Sequence, residues 1–390
     1  MGRTTAGYPA PVPRLRRSRP SSPGLTRRRA GSGWSYRDEH GDRVTDPAVL
    51  ERCRSLVIPP AWRDVWICPW PNGHLQALGT DDAGRRQYLY HPDWRAARDQ
   101  AKHQRVLEVA ARLPEARRTV AEHLGLGDMS RHHVLATAFR LLDLGLFRVG
   151  GETYATDNGS FGLATVERRH VRVGAEGISF DYVAKSGKRR RIVLQDEQCA
   201  AVVRTLKRRR DSGEDLLAWR VAEGGRTRWR DVTSTDINDY VHEVVGPGTS
   251  AKDFRTWHGT VLAARALAVA GPAGEMSRTA RTRAVTTVMR EVSEHLGNTP
   301  TVARASYVDP RVVDLWEDGI TVSPVVRALG AEGAADVAPG ERSEDAQEAL
   351  ERAVLELLTL PPLKAQATIR KTARAVAAGP VARRRDRSVA

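Results

Sequence analysis

Cysteine is scarce: Cys53, Cys68 and Cys199 are odd in number and far apart, with no CxxC pair. That excludes a disulfide framework and a thiolate metal knot. Long hydrophobic runs are missing too. No stretch approaches the roughly 20 apolar residues of a membrane span, and the first residues, mostly Arg, Pro and Ser, offer no signal-peptide core. The expectation is a soluble cytoplasmic protein. The chain has no HExxH, no clustered acidic triad and no Cys/His ligand spacing, so no metal is expected. The adjacent His132 and His133 of "RHHV" fall on different faces of a helix and make a poor chelate. No GxxxxGK[ST] stretch exists, so no ATP and no other cofactor is expected.

Acidic residues are outnumbered. Formal net charge is +15, and 55 of the 62 basic residues are arginine. A GC-rich genome also produces an arginine skew, so the excess of base over acid is the informative part. It calls for a polyanionic partner, of which nucleic acid is the first choice.

Residues 1–30 contain no acidic residue and many Pro, Ser and Arg, and read as a disordered basic arm. Residues 31–97 turn β-like. "DVWICPW", "HLQALGT" and "RRQYLYH" are short aromatic or β-branched runs separated by "PNG" and "DDAG" turns, and five of the nine tryptophans lie in this part. From residue 98 to 325 the period is helical, interrupted by a strand-like hairpin at "HVRVGAEGISFDYVAKSGKRRRIVL" and helical again from about 196 through Trp316. Residues 326–390 read as an Ala/Gly-rich linker, an acidic amphipathic helix ("SEDAQEALERAVLELLTL") and a basic tail; the helix packs on the preceding domain or binds another protein. The class is α+β: a small β-rich N-terminal domain and a mainly α-helical second domain.

Five residues in that second domain stand in suggestive contexts. Arg148 leaves an apolar helix for a Gly-rich turn ("GLFRVGGETY"), Lys185 sits on the hairpin turn ("AKSGK"), and Arg255 opens an amphipathic helix ("SAKDFRTWHGT"). A basic residue at a helix start opposes the macrodipole, a local cost that points to another use. Asn298 lies in "LGNTP" and Tyr307, nine residues on, precedes an Asp-Pro break. Taken singly these are a cap, a solvated lysine, a turn residue and a half-buried aromatic. As an ordered set they resemble the catalytic pentad of the small type IB DNA topoisomerases, and the likeness runs from about residue 24 to 320. It includes "VIPPAWRDVWICPWPNGHLQALGTDDAGRRQYLYHPDW", which is similar to the family's DNA-clamping β domain. One position differs from the viral and eukaryotic members, which carry histidine in "GxTP"; here Asn298 stands there, as it tends to in bacterial ones. Asparagine donates a hydrogen bond but shuttles no proton.

The resemblance implies an enzyme that relaxes supercoils of either sign through a 3′-phosphotyrosine. Tyr307 would be the nucleophile. Arg148 and Arg255 would grip the phosphoryl oxygens, because a planar guanidinium can hold two at once. Asn298 would add a neutral donor. Lys185 would protonate the 5′ leaving oxygen, since an ammonium titrates and a guanidinium does not. No residue suggests itself as a base for Tyr307. Gln87, Tyr88 and Tyr90 match residues that contact DNA in the major groove, and strand alternation puts the two tyrosines on one face; otherwise they are core aromatics. Lys252 matches a backbone contact near the scissile bond, or is simply solvated. The implied partner is duplex DNA at the nucleoid, bound by a monomer. A tyrosine recombinase shares this logic but carries HxxR at the second arginine, where this chain has Lys252 in "KDFR". The remaining alternative is a duplex-binding clamp without chemistry.

Overall fold

The computed structural model describes residues 14–151 and 159–378, which fall into two compact units, residues 1–103 and residues 104–390. In the first unit the aromatic and β-branched runs pair antiparallel. β1 (Leu25–Ala30), β2 (Gly33–Arg37), β3 (Arg63–Ile67), β4 (Leu75–Thr80) and β5 (Arg86–Tyr90) form one sheet in the order β2-β1-β3-β4-β5. The turn before β5 forms because Asp81 accepts from the backbone N–H of Ala83 and Arg85 at 3.0 and 2.9 Å. The sheet's inner face and α1 (Pro47–Ser55) enclose Leu25, Tyr36, Cys53, Val65, Ile67 and Ala77.

A basic arm over residues 1–30 is too long an expectation. Arg16 is hydrogen-bonded to Asn72 (N to O, 2.8 Å), the Ser18 hydroxyl donates to the Leu75 carbonyl at 2.8 Å, and Leu25–Ala30 is a strand. Charge hides that strand in the sequence. Leu25 is buried, while the Arg27 guanidinium satisfies the carbonyls of Ile58, Pro59 and Trp62 and lies 3.9 Å over the Trp34 ring. Residues 1–13 lie outside the described ones.

α2 (Pro92–Leu124) runs across the division between the units, so the expected boundary at 97/98 falls inside a helix. The second unit continues with α3 (Arg131–Gly145) and a three-stranded antiparallel sheet of β6 (Val171–Gly174), β7 (Gly177–Ala184) and β8 (Lys188–Leu194). After α4 (Glu197–Lys207) comes a ribbon of β9 (Ala218–Glu223) and β10 (Arg226–Asp231), inside a stretch whose periodicity suggests helix. The reason is Gly224–Gly225: both adopt positive φ (+59° and +75°), which closes a two-residue hairpin turn.

Next come α5 (Ser234–Val245), α6 (Ala251–Ala270), α7 (Arg278–Leu296), α8 (Pro300–Ser306), α9 (Arg311–Glu317), α10 (Ser323–Leu329) and α11 (Ala331–Ala334). α6 is not the amphipathic helix expected of it. Residues 253–267 are all buried, so it runs through the middle of the unit. α12 (Glu344–Thr359) and α13 (Pro362–Ala378) close the described chain. Of the two expectations for the acidic helix, packing is the one observed: Leu350, Val354 and Ile369 join one core with Trp257 and Leu262 of α6. No described helix is long and apolar enough to cross a membrane.

Candidate active site

The pentapeptide "LGNTP" is a helix stop followed at once by a helix start. Gly297 adopts the left-handed conformation (φ +62°), its N–H returns to the Glu294 carbonyl at 3.1 Å, and the Asn298 N–H returns to Ser293 at 2.9 Å. Thr299 then caps α8, its hydroxyl accepting from the Val302 N–H at 3.3 Å, and Pro300 occupies the first turn. α8 lasts only seven residues and ends on Tyr307, whose N–H bonds to the Ala303 carbonyl at 3.0 Å. Asn298 and Tyr307 are therefore the two ends of one short rigid element.

Arg148 reaches this element from the end of α3. Leu146 ends that helix in the left-handed conformation, and the extended chain beyond it is fixed by bonds from Leu163 N–H to the Arg148 carbonyl (2.9 Å) and from Ala164 N–H to the Val149 carbonyl (2.8 Å). Only glycine fits where these segments cross: a Cβ on Gly162 would stand 2.4 Å from the Gly150 Cα. The Arg148 guanidinium donates to the Gly297 carbonyl at 3.1 Å and to Asn298 Oδ1. With Oδ1 occupied by Arg148, the Asn298 amide keeps its Nδ2 as a donor, and that buried nitrogen has no partner among the described residues.

Arg255, 2% exposed, sits in the second turn of α6. It donates to the Leu146 carbonyl and, at 2.7 Å, to the Leu296 carbonyl. Both acceptors lie at C-terminal ends of helices, α3 and α7, where a cation is favoured. Its Nε is also buried and unpartnered among the described residues. The guanidinium carbon lies 5.1 Å from the Tyr307 ring centroid, and Lys252 Nζ 6.0 Å from it.

The backbone of Tyr307 rests on α6. A Cβ on Gly259 would be 3.0 Å from the Tyr307 carbonyl oxygen, so this interior helix glycine is what allows the approach. Next to it the Thr260 hydroxyl donates to the Tyr307 carbonyl (3.4 Å) and accepts from the Asp309 N–H (3.1 Å). Arg311 then clamps the Asp309 carboxylate through Nε and a terminal nitrogen at 3.0 and 2.6 Å. Burial alone would push the Tyr307 phenol up, but Arg255 first, then Lys252 and Arg148, outweigh it and hold the phenol below the ordinary value of about 10. Arg255 is pushed down by burial and by Arg148, yet a guanidinium stays charged at any working pH.

Lys185 is exposed on the turn between β7 and β8, a three-residue loop closed by the pair Ala184–Lys188, with Ser186 at φ +67° and Gly187 at +70°. The strand beyond is tied to the end of α7. Lys188 Nζ donates to the Asn298 carbonyl at 2.9 Å, and Arg190 donates to the carbonyls of Glu294 (3.2 Å) and His295. Thus Arg148, Arg255, Asn298, Tyr307 and Lys252 come together directly, and Lys185 stands on a hairpin fixed to their edge. Residues 152–158 of the "FRVGGETY" motif and its continuation lie outside the described residues.

Gln87, Tyr88 and Tyr90 belong to the first unit. The tyrosines share one face as the strand alternation requires and are not core aromatics: they are 45% and 39% exposed, with rings stacked 6.1 Å apart. Gln87 Nε2 donates to Asp81 Oδ2 at 2.9 Å. Side-chain and backbone hydrogen bonds from Arg85 hold that carboxylate down at about 2.

Among known families, the eukaryotic DNA topoisomerase I catalytic core matches residues 91–318, more than half of the chain, and the bacterial DNA topoisomerase IB N-terminal domain matches residues 33–81. The chain belongs to the type IB DNA topoisomerase family. It is accordingly an isomerase whose substrate is DNA. Among its relatives is "DNA topoisomerase 1B" of Acanthamoeba polyphaga mimivirus, 25% identical over 301 residues that make up 76% of this chain and 88% of that protein.

Several supports of this candidate site are not marked by the motifs read from the sequence: Gly259, Thr260, Asp309, Arg311, Lys188 and Arg190. Gly259 had a readable signal, because a glycine inside a helix costs about 1 kcal/mol against alanine and needs a packing reason. The others carry none.

Proposed function

We propose that the protein relaxes DNA supercoils of both signs by cutting and resealing one strand through Tyr307, as a monomer and with neither ATP nor metal. The Tyr307 phenolic oxygen attacks the scissile phosphorus and loses its proton. The bond from phosphorus to the 5′ oxygen breaks, and that oxygen takes a proton from Lys185. A 3′-phosphotyrosine and a free 5′ hydroxyl result, and resealing runs the same steps backward. Arg148, Arg255 and the Asn298 Nδ2 stabilise charge on the non-bridging oxygens, work that a divalent cation does in other phosphoryl-transfer enzymes. Stored torsion drives strand rotation, so ATP has no task. Gln87, Tyr88 and Tyr90 read the duplex, and Lys252 holds its backbone near the cleaved bond.

One observation carries this reading. Beside a phenol held below its ordinary pKa lie two guanidiniums bound to carbonyls rather than carboxylates, and two buried donors, Arg255 Nε and Asn298 Nδ2, aimed at no protein acceptor among the described residues. A phosphodiester supplies the acceptors. The recombinase alternative has nothing further in its favour, since Lys252 occupies the position its box reserves for histidine.

The test is relaxation of negatively and positively supercoiled plasmid in EDTA without ATP, quenched with SDS to trap protein on a 3′ end. Relaxation of both, with an adduct that Tyr307→Phe abolishes while DNA affinity holds, is the expected result. Binding without adduct would leave a clamp devoid of chemistry and refute the proposal.

A further inference from the structure

The family match ends at residue 318, yet the buried core continues through α12 and α13 to Ala373. α12 brings more than apolar side chains. Glu351, 6% exposed, points into the unit and meets Arg117 of α2, whose two terminal nitrogens donate to its two oxygens at 2.9 and 3.0 Å. The same guanidinium donates to both oxygens of Asp143 on α3, at 2.7 Å from Nε and 3.0 Å from a terminal nitrogen. His258 of α6 hydrogen-bonds Asp143 through Nε2 at 2.9 Å and lies beside Glu351, its buried Nδ1 3.6 Å from that carboxylate without a hydrogen bond among the described residues. Gln347, one turn before Glu351, donates to it at 2.6 Å. Burial opposes ionisation of Asp143, but Arg117 and His258 more than offset it and hold the carboxyl well below the usual range.

What this cluster holds is α6. His258 is three residues from Arg255 and directly precedes Gly259, against which the Tyr307 backbone rests. A second tie reaches the other side of the site: Arg311, which clamps Asp309 two residues after Tyr307, also donates to the Leu358 carbonyl of α12 at 3.3 Å. One helix beyond the family match therefore grips the arginine-bearing helix through Glu351 and the tyrosine-bearing segment through Leu358.

We infer that α12 is part of the catalytic unit and that Glu351 is a positioning residue, acting through Arg117 and His258 to set the rotation of α6 and so the distance from Arg255 to Tyr307. This rests on the cleavage chemistry proposed above. Buried paired charges suit such a role because their geometry is narrow: taking one partner away leaves the other buried and uncompensated, and the helices shift to relieve it. An apolar contact at the same place would tolerate sliding.

The test uses the full chain. Wild type is first shown to form the covalent adduct; a failure there refutes the proposed chemistry, whereas the role of Glu351 is judged only against an active wild type. Single-turnover cleavage and DNA affinity are then measured for Glu351→Gln, which keeps shape and one acceptor but removes the charge, well below its melting temperature. Because displacements of ~1 Å at a reacting centre cost up to ~10²-fold, cleavage should fall roughly tenfold while affinity stays within about twofold. A protein weakened only in stability would show no such split at low temperature. Wild-type cleavage by folded Glu351→Gln overturns the inference. Should that variant not fold, Arg311→Lys takes its place: its side chain is partly exposed, and the change loosens the Leu358 tie together with the Asp309 clamp. The same split is expected there, and wild-type cleavage again overturns the inference.

Discussion

Replacing Gly259 with alanine separates stability from catalysis, because cleavage should slow while the melting temperature barely moves. In a helix interior, alanine is favoured over glycine by about 1 kcal/mol. Against that, the new Cβ would lie 3.0 Å from the Tyr307 carbonyl oxygen and 3.5 Å from its Cβ, where ordinary contact begins near 3.4 Å. Leu296 Cδ1, 3.4 Å away, blocks escape in that direction. The Tyr307 backbone must therefore withdraw by about 0.4 Å. The propensity gain and the strain nearly cancel, so the melting temperature should stay close to that of wild type. The displacement carries the phenol away from Arg255, and with ~10²-fold lost per ångström cleavage should slow roughly fivefold to tenfold. The assay is single-turnover adduct formation on a duplex whose cleaved end dissociates, read by SDS gel beside thermal melting and DNA affinity. Full-rate cleavage by a stable Gly259→Ala protein would mean that Tyr307 is not placed by its contact with α6, and the reasoning would fall.

Other expectations rest on the same geometry. Asn298→Ala removes a donor whose orientation Arg148 has fixed, and cleavage should drop by ~10²-fold or more, with affinity for DNA little changed; wild-type cleavage kinetics would exclude Asn298 from the reaction. Because Arg255, Lys252 and Arg148 hold Tyr307 below its ordinary pKa, its phenolate should form first as pH rises. A difference titration of wild type against Tyr307→Phe in free protein should show one phenolate appearing below about pH 10. Lys252→Gln removes one of those cations, so the midpoint should move upward; a midpoint that stays or falls contradicts the assignment. Lys185→Ala should slow cleavage by ~10²-fold or more, and a substrate with a 5′ sulfur leaving group, which needs no proton, should restore much of the loss. Absence of rescue would give Lys185 another role.

What the sequence disclosed and what it hid divide along physical lines. Strands ended by "PNG" and "DDAG" were legible because turn chemistry is local, as was the hairpin that carries Lys185. "LGNTP" was legible as a turn but not as a Schellman stop fused to a capped start. β1 escaped notice because Arg27, Arg28 and Arg29 read as an arm, whereas Arg27 is spent on carbonyls within its own sheet unit. The β9–β10 ribbon did carry a local signal, its Gly224–Gly225 pair, which the helical period on either side outweighed. α6 could not be read as central, because burial on all sides depends on partners distant in the chain. The same holds for the Arg117–Asp143–His258–Glu351 cluster, whose members are separated by up to 234 positions.

In a chain with 55 arginines, abundance says nothing about which of them matter. Partners do. Arg117 is sandwiched between two carboxylates and is electrically finished. Arg148 and Arg255 are held by peptide and amide oxygens, with no carboxylate among their hydrogen-bond partners in the described residues, and these fix their direction without cancelling their charge. The folded protein thus keeps a pocket of unspent positive charge whose self-repulsion works against its own stability. On the proposed chemistry the DNA phosphate would be the counter-ion for that pocket, so substrate would not only react there but also complete the local electrostatics of the fold. Occupancy by a phosphodiester should accordingly stiffen the ends of α3 and α7 together, and release of the resealed strand should loosen both.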